Sequence, residues 1–331
     1  MENGPIFIAG TDRAGKTLMS AVVSSHPRIA VPAVGSNLWT LFYGRFGPLD
    51  SEARFERCLA ALLAYSHVRF LEPDADRLRI EFRQGERSYA RLFGLLLEHY
   101  AQRQGKPRWG DQTGLIEGYA DAVLGAYPDG RMIHMLRDPR DRYDASLAIY
   151  PEGRLRAGGA VARWLYSARL ARRNAERFNG RYLVVHYEEF VANPEAVVRR
   201  ICDLLGETFD PAMLTLRGMP GYRQRLIEEA GNPPDGAPLI SDRYVGVHRG
   251  RVPARELAFL EWRAGREMQR AGYQLSEPRL SAGDRLRLAL VDVPLNEGRL
   301  RFWQARTAVS RWMPRFAGRK PGARYLVPHA G

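Results

Sequence analysis

Lys16 lies in the stretch Gly10-Thr11-Asp12-Arg13-Ala14-Gly15-Lys16-Thr17, directly behind the apolar run Pro5-Ile6-Phe7-Ile8-Ala9. The stretch fits the pattern G-x-x-x-x-G-K-[ST], a loop whose backbone N–H groups close around phosphate-like oxygens. The run before it reads as a buried strand, and Leu18-Met19-Ser20-Ala21-Val22-Val23 reads as the helix after it. That order puts the loop at a helix N-terminus, where unpaired N–H groups and the helix dipole favour an anion. The chain has three lysines, Lys16, Lys106 and Lys320, and its other basic side chains are arginines. A compact ammonium on a flexible stem suits moving phosphate oxygens. The plainer alternative is a glycine-bearing strand-to-helix turn with an incidental lysine.

Two further segments place charged and aromatic residues at the ends of predicted strands. Arg137-Asp138-Pro139-Arg140-Asp141-Arg142-Tyr143-Asp144-Ala145-Ser146 follows the strand Arg131–Leu136, and His186-Tyr187-Glu188-Glu189-Phe190 follows the strand 181–186. In a parallel sheet the carboxyl ends of the strands share one edge, where such folds bind ligands, so the three segments converge. A guanidinium there suits two-pronged grip on a phosphate. Simpler roles stay open: Arg137 and Arg140 pairing with Asp138 and Asp141, Ser146 as an ordinary helix residue, Tyr187 as core at a strand end.

The elements that must position these residues alternate strand and helix, which predicts an α/β fold. A short strand is expected over Ile29–Val31. Phe55, Leu59, Leu62 and Leu63, then Tyr89, Leu92, Phe93, Leu96 and Leu97, recur at helical spacing, so about 45–105 reads as a helical insertion capping the ligand cleft. Pro194 to Leu205 reads as an amphipathic helix entered at Asn193 and ended by Gly206. His26, followed by proline, reads as a helix-ending structural residue. With 331 residues, 45% hydrophobic and 26% charged, the chain can bury one large core plus an extension. Cys58 and Cys202 give neither metal spacing nor a disulfide framework. Without a basic leader, an apolar run of membrane-spanning length or a disulfide framework, the expected compartment is the cytoplasm. The net charge is +13. Residues 279–331 hold 11 Arg and Lys against Asp284, Asp292 and Glu297, so about +8 of that excess lies in the C-terminal extension.

Here the residues resemble the PAPS-dependent sulfotransferases, in particular the bacterial and tyrosylprotein-sulfotransferase-like branch. Pro5 to Leu18, with Ser25-His26-Pro27 after it, is similar to that family's 5′-phosphosulfate loop and first helix. Ile133-His134-Met135-Leu136-Arg137-Asp138-Pro139-Arg140-Asp141 is similar to its 3′-phosphate motif, and Tyr187-Glu188-Glu189-Phe190 with Asn193-Pro194-Glu195 and Leu204-Leu205-Gly206 to the segment closing the nucleotide site. Trp109-Gly110-Asp111-Gln112-Thr113 resembles a family segment near the acceptor pocket. The likeness covers roughly residues 5–275.

What the resemblance implies is a P-loop-type central parallel sheet flanked by helices over 1–278, with 279–331 as a basic helical extension. It implies PAPS (3′-phosphoadenosine 5′-phosphosulfate) as co-substrate without a metal, and sulfuryl transfer to a hydroxyl of a small-molecule acceptor, a natural product or glycolipid. Arg13 takes the place of the loop's catalytic cation, and Lys16 adds a second positive charge. Asp12, Arg13, Ala14, Gly15, Lys16, Thr17 and Leu18 form the nucleotide loop, Arg137 and Ser146 hold the 3′-phosphate, and Tyr187 faces the adenine. The chain also departs from the family. The loop ends Ala14-Gly15-Lys16-Thr17 where Ser-Gly-Thr-Thr is usual. The 3′-phosphate serine is expected at Ala145 and stands one later. Ala33-Val34-Gly35-Ser36 occupies the place of a basic glutamate, and Gln112-Thr113-Gly114 that of Lys-Thr-Pro. Asp111 is the leading candidate for the general base, Asp12 the second.

Two readings compete. An ATP- and Mg-dependent P-loop kinase would need Asp138 or Glu188 for the metal, and a sulfotransferase-like protein could lack catalysis. Leu300, Phe302, Trp303, Ala305, Val309, Trp312, Met313 and Phe316 mix with arginines at helical spacing. That helix is expected to pack on its own domain or on a second copy, with peripheral membrane contact as the alternative. Nucleic acid is not an expected partner.

Overall fold

The computed structural model describes residues 4–147, 157–234 and 237–312. Its centre is one sheet of parallel strands, β1 (Ile6–Ala9), β2 (Ile29–Ala30), β3 (Arg108–Gln112), β4 (Arg131–Leu136) and β5 (Tyr182–His186), in the order β2-β3-β1-β4-β5. Ile6 pairs with Gly110 on one side and Arg131 on the other, and β4 runs on to bring Leu136 beside His186. All four residues of β1 are fully buried, so its unbroken apolar run fits a strand covered on both faces. The carboxyl ends of β1, β4 and β5 therefore open on one edge, as the strand-and-helix pattern predicted.

β3 escaped that pattern because its sequence, Arg-Trp-Gly-Asp-Gln, does not read as a strand, although all five residues are buried. Its polar groups are satisfied inside the protein. Arg108 donates to the carbonyls of Gly4 and Leu205 and to Glu207, and Gln112 Nε2 donates to Ala33 O. A side chain at Gly110 would come within 2.9 Å of Ile6 O, so glycine lets β3 lie against β1. Lys106 is also structural: its Nζ donates to the carbonyls of His26 and Ile29 at 3.0 and 2.9 Å.

The insertion is helical (Glu52–Ala64, Ala75–Arg83, Tyr89–Arg103) and shares one core with Phe7 and Trp109 of the sheet. The opposite face of the sheet packs on the loop helix Lys16–Ser24 and on Pro194–Leu205, which starts at its proline and ends at Gly206 with φ 67°. His26 is buried; Arg28 N donates to its Nδ1, which leaves Nε2–H to donate to Thr208 O at 3.1 Å. The extension forms Ala282–Arg287 and Val293–Trp312, the latter seated on Ala157–Arg177 through Leu300 and Trp303. Met313 and Phe316 lie outside the described residues.

Candidate functional site

Glycines shape the loop. Gly10 has φ 126°, and a Cβ there would lie 2.4 Å from Met135 O; Gly15 has φ 94°, and a Cβ there would lie 2.6 Å from the Tyr187 ring. Between them Arg13, a non-glycine, is held at φ 63°, a left-handed conformation costing about 1 kcal/mol. Bonds from several elements fix it. Arg13 O accepts from Arg137 Nη1 at 3.1 Å, and Gly10 N donates to the buried Glu117 at 3.1 Å. The fully buried Arg142 donates to Asp12 O and to Asp12 Oδ1 at 3.0 and 2.8 Å. Burial alone would raise the Asp12 pKa, but Arg142 and Arg163 outweigh it and hold this carboxyl well below the usual range. No side chain caps the helix Lys16–Ser24 and no acid stands in its first turn, so its leading N–H groups are left for an anion. Lys16 Nζ donates to Thr11 O at 2.6 Å. Burial lowers its pKa to about 8, although Asp12 and Glu117 favour the charged form.

The loop opens on a cavity of about 400 Å³. Arg13, Gly15, Lys16, Thr17 and Leu18 form one wall, Arg137, Ala145 and Tyr187 the next, and Tyr222, Arg225, Arg243, Tyr244 and Arg251 the third. Six cations thus face two acids, Asp144 and Glu229, each already paired with an arginine of the wall. Arg137 is the hinge of this arrangement. Its Nη1 reaches the loop at Arg13 O, its Nη2 donates to Tyr244 O at 2.6 Å, and its guanidinium lies 4.5 Å over the Tyr187 ring. Its Nε is buried without a partner among the described residues. Asp141 holds the third wall by accepting from Gly246 N, His248 N and His248 Nδ1, the last at 2.6 Å. Many cations, unspent N–H groups and an aromatic face are what a polyphosphorylated nucleotide requires.

Residues 5–211 match the model of the Sulfotransferase family. The chain belongs to the sulfotransferase family. The sulfotransferase domain of the Synechococcus PCC 7002 olefin synthase has the same fold, with 21% identity over 83% of this chain and 97% of that one and a TM-score of 0.53. The sulfotransferase domain of the curacin biosynthetic pathway is 18% identical over 83% of this chain and 99% of that one, with a TM-score of 0.48. No curated protein matches the sequence.

In this sulfotransferase the cavity gathers most of the residues expected from sequence: Arg13, Gly15, Lys16, Thr17, Leu18, Arg137 and Tyr187. Four expected residues lie off the cavity lining. Ser146 is fully buried and its hydroxyl donates to Arg142 O at 2.8 Å, one turn back; the cavity is lined by Ala145 instead. Asp111 is fully buried at the end of β3. Its Oδ1 accepts from Ser36 N at 3.1 Å and its Oδ2 from Ser36 Oγ and Thr113 Oγ1 at 2.6 and 2.9 Å. Burial raises its pKa against those bonds, and it faces no open space in which to meet an acceptor hydroxyl. It ties segment 33–37 to the sheet. Asp12 turns to Arg142 and Arg163 rather than to the cavity, and Ala14 is buried beneath it. The helical insertion contributes nothing to this cavity, which the segment 220–251 covers instead. Sequence reading missed Tyr222, Arg225, Arg243, Tyr244 and Arg251. Tyr222 and Arg225 stand three residues apart on the helix Pro220–Glu229, and the signal in the sequence was a density of Arg and Tyr.

The kinase reading falls with the family assignment, and the acids it needed are engaged. Asp138 pairs with Arg140 at 2.7 Å, and Glu188 accepts from Asp138 N and from Tyr273 OH. A structural Asp111 has a direct consequence. Asp111→Asn should lower stability by about 2 kcal/mol, because an amide puts a donor where three donors converge. Turnover at a temperature where the variant is folded should stay within about tenfold of wild type. Chemical denaturation and a steady-state assay check both; a folded variant without turnover would return Asp111 to the chemistry.

Proposed function

We propose that this sulfotransferase takes PAPS as donor and passes the sulfuryl group to a hydroxyl of a small molecule, a natural product or a glycolipid. The observation that carries the reading is that Arg137 and Lys16, predicted to grip opposite ends of one nucleotide, line the same cavity, with Arg137 bonded to the Lys16 loop at the Arg13 carbonyl. The residues present fit the group. Gly15 leaves a cradle that a Cβ would fill against Tyr187, Arg137 keeps a buried Nε without a partner among the described residues, and no side chain at the N-cap bonds the start of the loop helix. PAPS supplies an electrophilic sulfuryl group on a phosphate leaving group. The chain supplies preorganised charge: Lys16 and Arg13 stand where negative charge collects, the N–H groups from Gly15 onward orient the anion, and Tyr187 offers a ring face.

Trp39, Tyr43 and Tyr119 form a chain of ring contacts, with Trp39–Tyr43 at 4.9 Å and Tyr43–Tyr119 at 6.2 Å. It begins beside Asn37, whose N–H bonds Thr113 Oγ1, and the side-chain position of the next residue, Gly114, is 3.9 Å from Lys16 Nζ. Trp39 is buried and backs Tyr43, whose exposed ring suits an acceptor with an apolar body. With Asp111 and Asp12 both engaged, an acidic hydroxyl such as a phenol needs little help from a base.

The test is binding. Adenosine 3′,5′-bisphosphate should stabilise the protein without metal, whereas ATP should do so weakly with or without Mg²⁺. An anionic ligand raises the Lys16 pKa from about 8, so binding near pH 8 should take up about half a proton per site. Calorimetry in two buffers of different ionisation enthalpy reads that number. Stabilisation by ATP that needs Mg²⁺, with none from the bisphosphate, overturns the proposal.

A further inference from the structure

Among the described residues, the extension packs inward on one side and leaves apolar side chains exposed on the other. Leu300 and Trp303 are buried on Ala157–Arg177, and Asn296 accepts from Gly158 N at 2.9 Å. On the outside, Leu295, Phe302 and Val309 are 41, 69 and 52% exposed. They stand seven residues apart, so they form one line along the helix Val293–Trp312. The preceding helical turns add Leu286 and Leu290 at 61 and 68%, and Trp262, next to the Arg263 that pairs with Glu297, is 64% exposed. This is more exposed apolar surface than scattered single residues explain.

Charge is sorted the same way. The acids of the segment turn inward: Asp284 and Asp292 pair with Arg255, and Glu297 with Arg263. Arg285, Arg287 and Arg306 are exposed, and Arg306 stands four residues after Phe302 and three before Val309, on the flank of the apolar line. Residues 313–331 carry four more cations, Arg315, Arg319, Lys320 and Arg324, and no acid. A second copy on this face would set arginine against arginine, and nucleic acid gives Phe302 and Leu290 nothing to bury in. A surface that is negative outside and apolar just beneath satisfies both.

We propose that residues 282–312 form a docking face for an anionic phospholipid bilayer, lying in its plane with Leu290, Leu295, Phe302 and Val309 entering the acyl boundary and Arg285, Arg287 and Arg306 at the headgroups. Docked this way, the enzyme works at a membrane surface, where acceptors with lipid tails are presented. The inference is independent of the donor: it stands or falls without reference to PAPS.

The full chain is mixed with phosphatidylcholine vesicles, with and without phosphatidylglycerol, and sedimented at low and high salt. Binding is expected only with phosphatidylglycerol and should weaken at high salt as the charges are screened. Phe302→Glu and the pair Arg285→Glu with Arg306→Glu should each weaken it about tenfold or more. These side chains are exposed, so unchanged melting temperatures are expected and confirm folded variants. Absence of sedimentation with either vesicle overturns the proposal, as does binding that Phe302→Glu leaves intact. A stable dimer that Phe302→Glu dissociates assigns the face to a second copy, and salt-sensitive binding to duplex DNA that ignores Phe302→Glu assigns it to nucleic acid. Either result also overturns it.

Discussion

Lys16→Met is expected to lower turnover about a thousandfold, near 4 kcal/mol of transition-state stabilisation, and to leave the fold intact. The size follows from where the ammonium sits. Its burial lowers its own pKa to about 8, so it occupies a site where charge is poorly solvated and Coulomb forces are strong. Charge that grows on the departing phosphate during transfer meets this cation at little reorganisation cost. Methionine keeps the stem and removes only the charge. The one hydrogen bond lost is to Thr11 O, so the melting temperature should hold or rise, since a desolvated cation is no longer buried. Affinity for adenosine 3′,5′-bisphosphate should fall by only about tenfold, because N–H groups and Arg137 still grip the product. Release of label from radiolabelled PAPS measures turnover, and calorimetry measures affinity. Equal losses in both would make Lys16 a binding residue and not a catalytic one. Turnover within tenfold of wild type would remove it from the chemistry.

The loop and its strand were legible because they obey local rules: an apolar run, glycines at fixed spacing, a helix behind. β4 and β5 read as easily, since strands buried on both faces repeat apolar residues. Arg137 was legible through its place at a strand end. β3 was not, because its stability lies in distant partners for Arg108, Asp111 and Gln112, which no window of sequence displays. The surroundings of Asp111 were hidden for the same reason. A carboxylate in a segment resembling an acceptor site looks chemical until Ser36, 75 residues away in sequence, occupies both its oxygens. Ser146 shows a finer failure. One residue of shift on a helix turns a side chain by about 100°, which carries the hydroxyl off the cavity and onto its own backbone. The part of the wall around Arg243 to Arg251 was hidden because it is held by tertiary bonds such as those that Asp141 accepts from Gly246 and His248.

Arg137→Ala should weaken adenosine 3′,5′-bisphosphate binding about a hundredfold, near 3 kcal/mol, by calorimetry. Two losses add up. The first is the charge-assisted contact to phosphate, about 1.5 to 3 kcal/mol. The second is preorganisation: the same guanidinium joins the loop at Arg13 O to the covering segment at Tyr244 O, and braces Tyr187 from above. Without it the left-handed Arg13 loses a restraint, and the third wall stays tied mainly through Asp141. The two parts separate in Arg137→Lys. A lysine restores charge but cannot reach both carbonyls with a planar fork, so it should recover less than half of the lost free energy. Ser146→Ala, at a buried hydroxyl bonded to its own helix, should bind as tightly as wild type. An Arg137→Ala protein that bound the bisphosphate normally would detach this strand end from the nucleotide. The donor proposed here would then lose its second anchor, although membership of the family would stand.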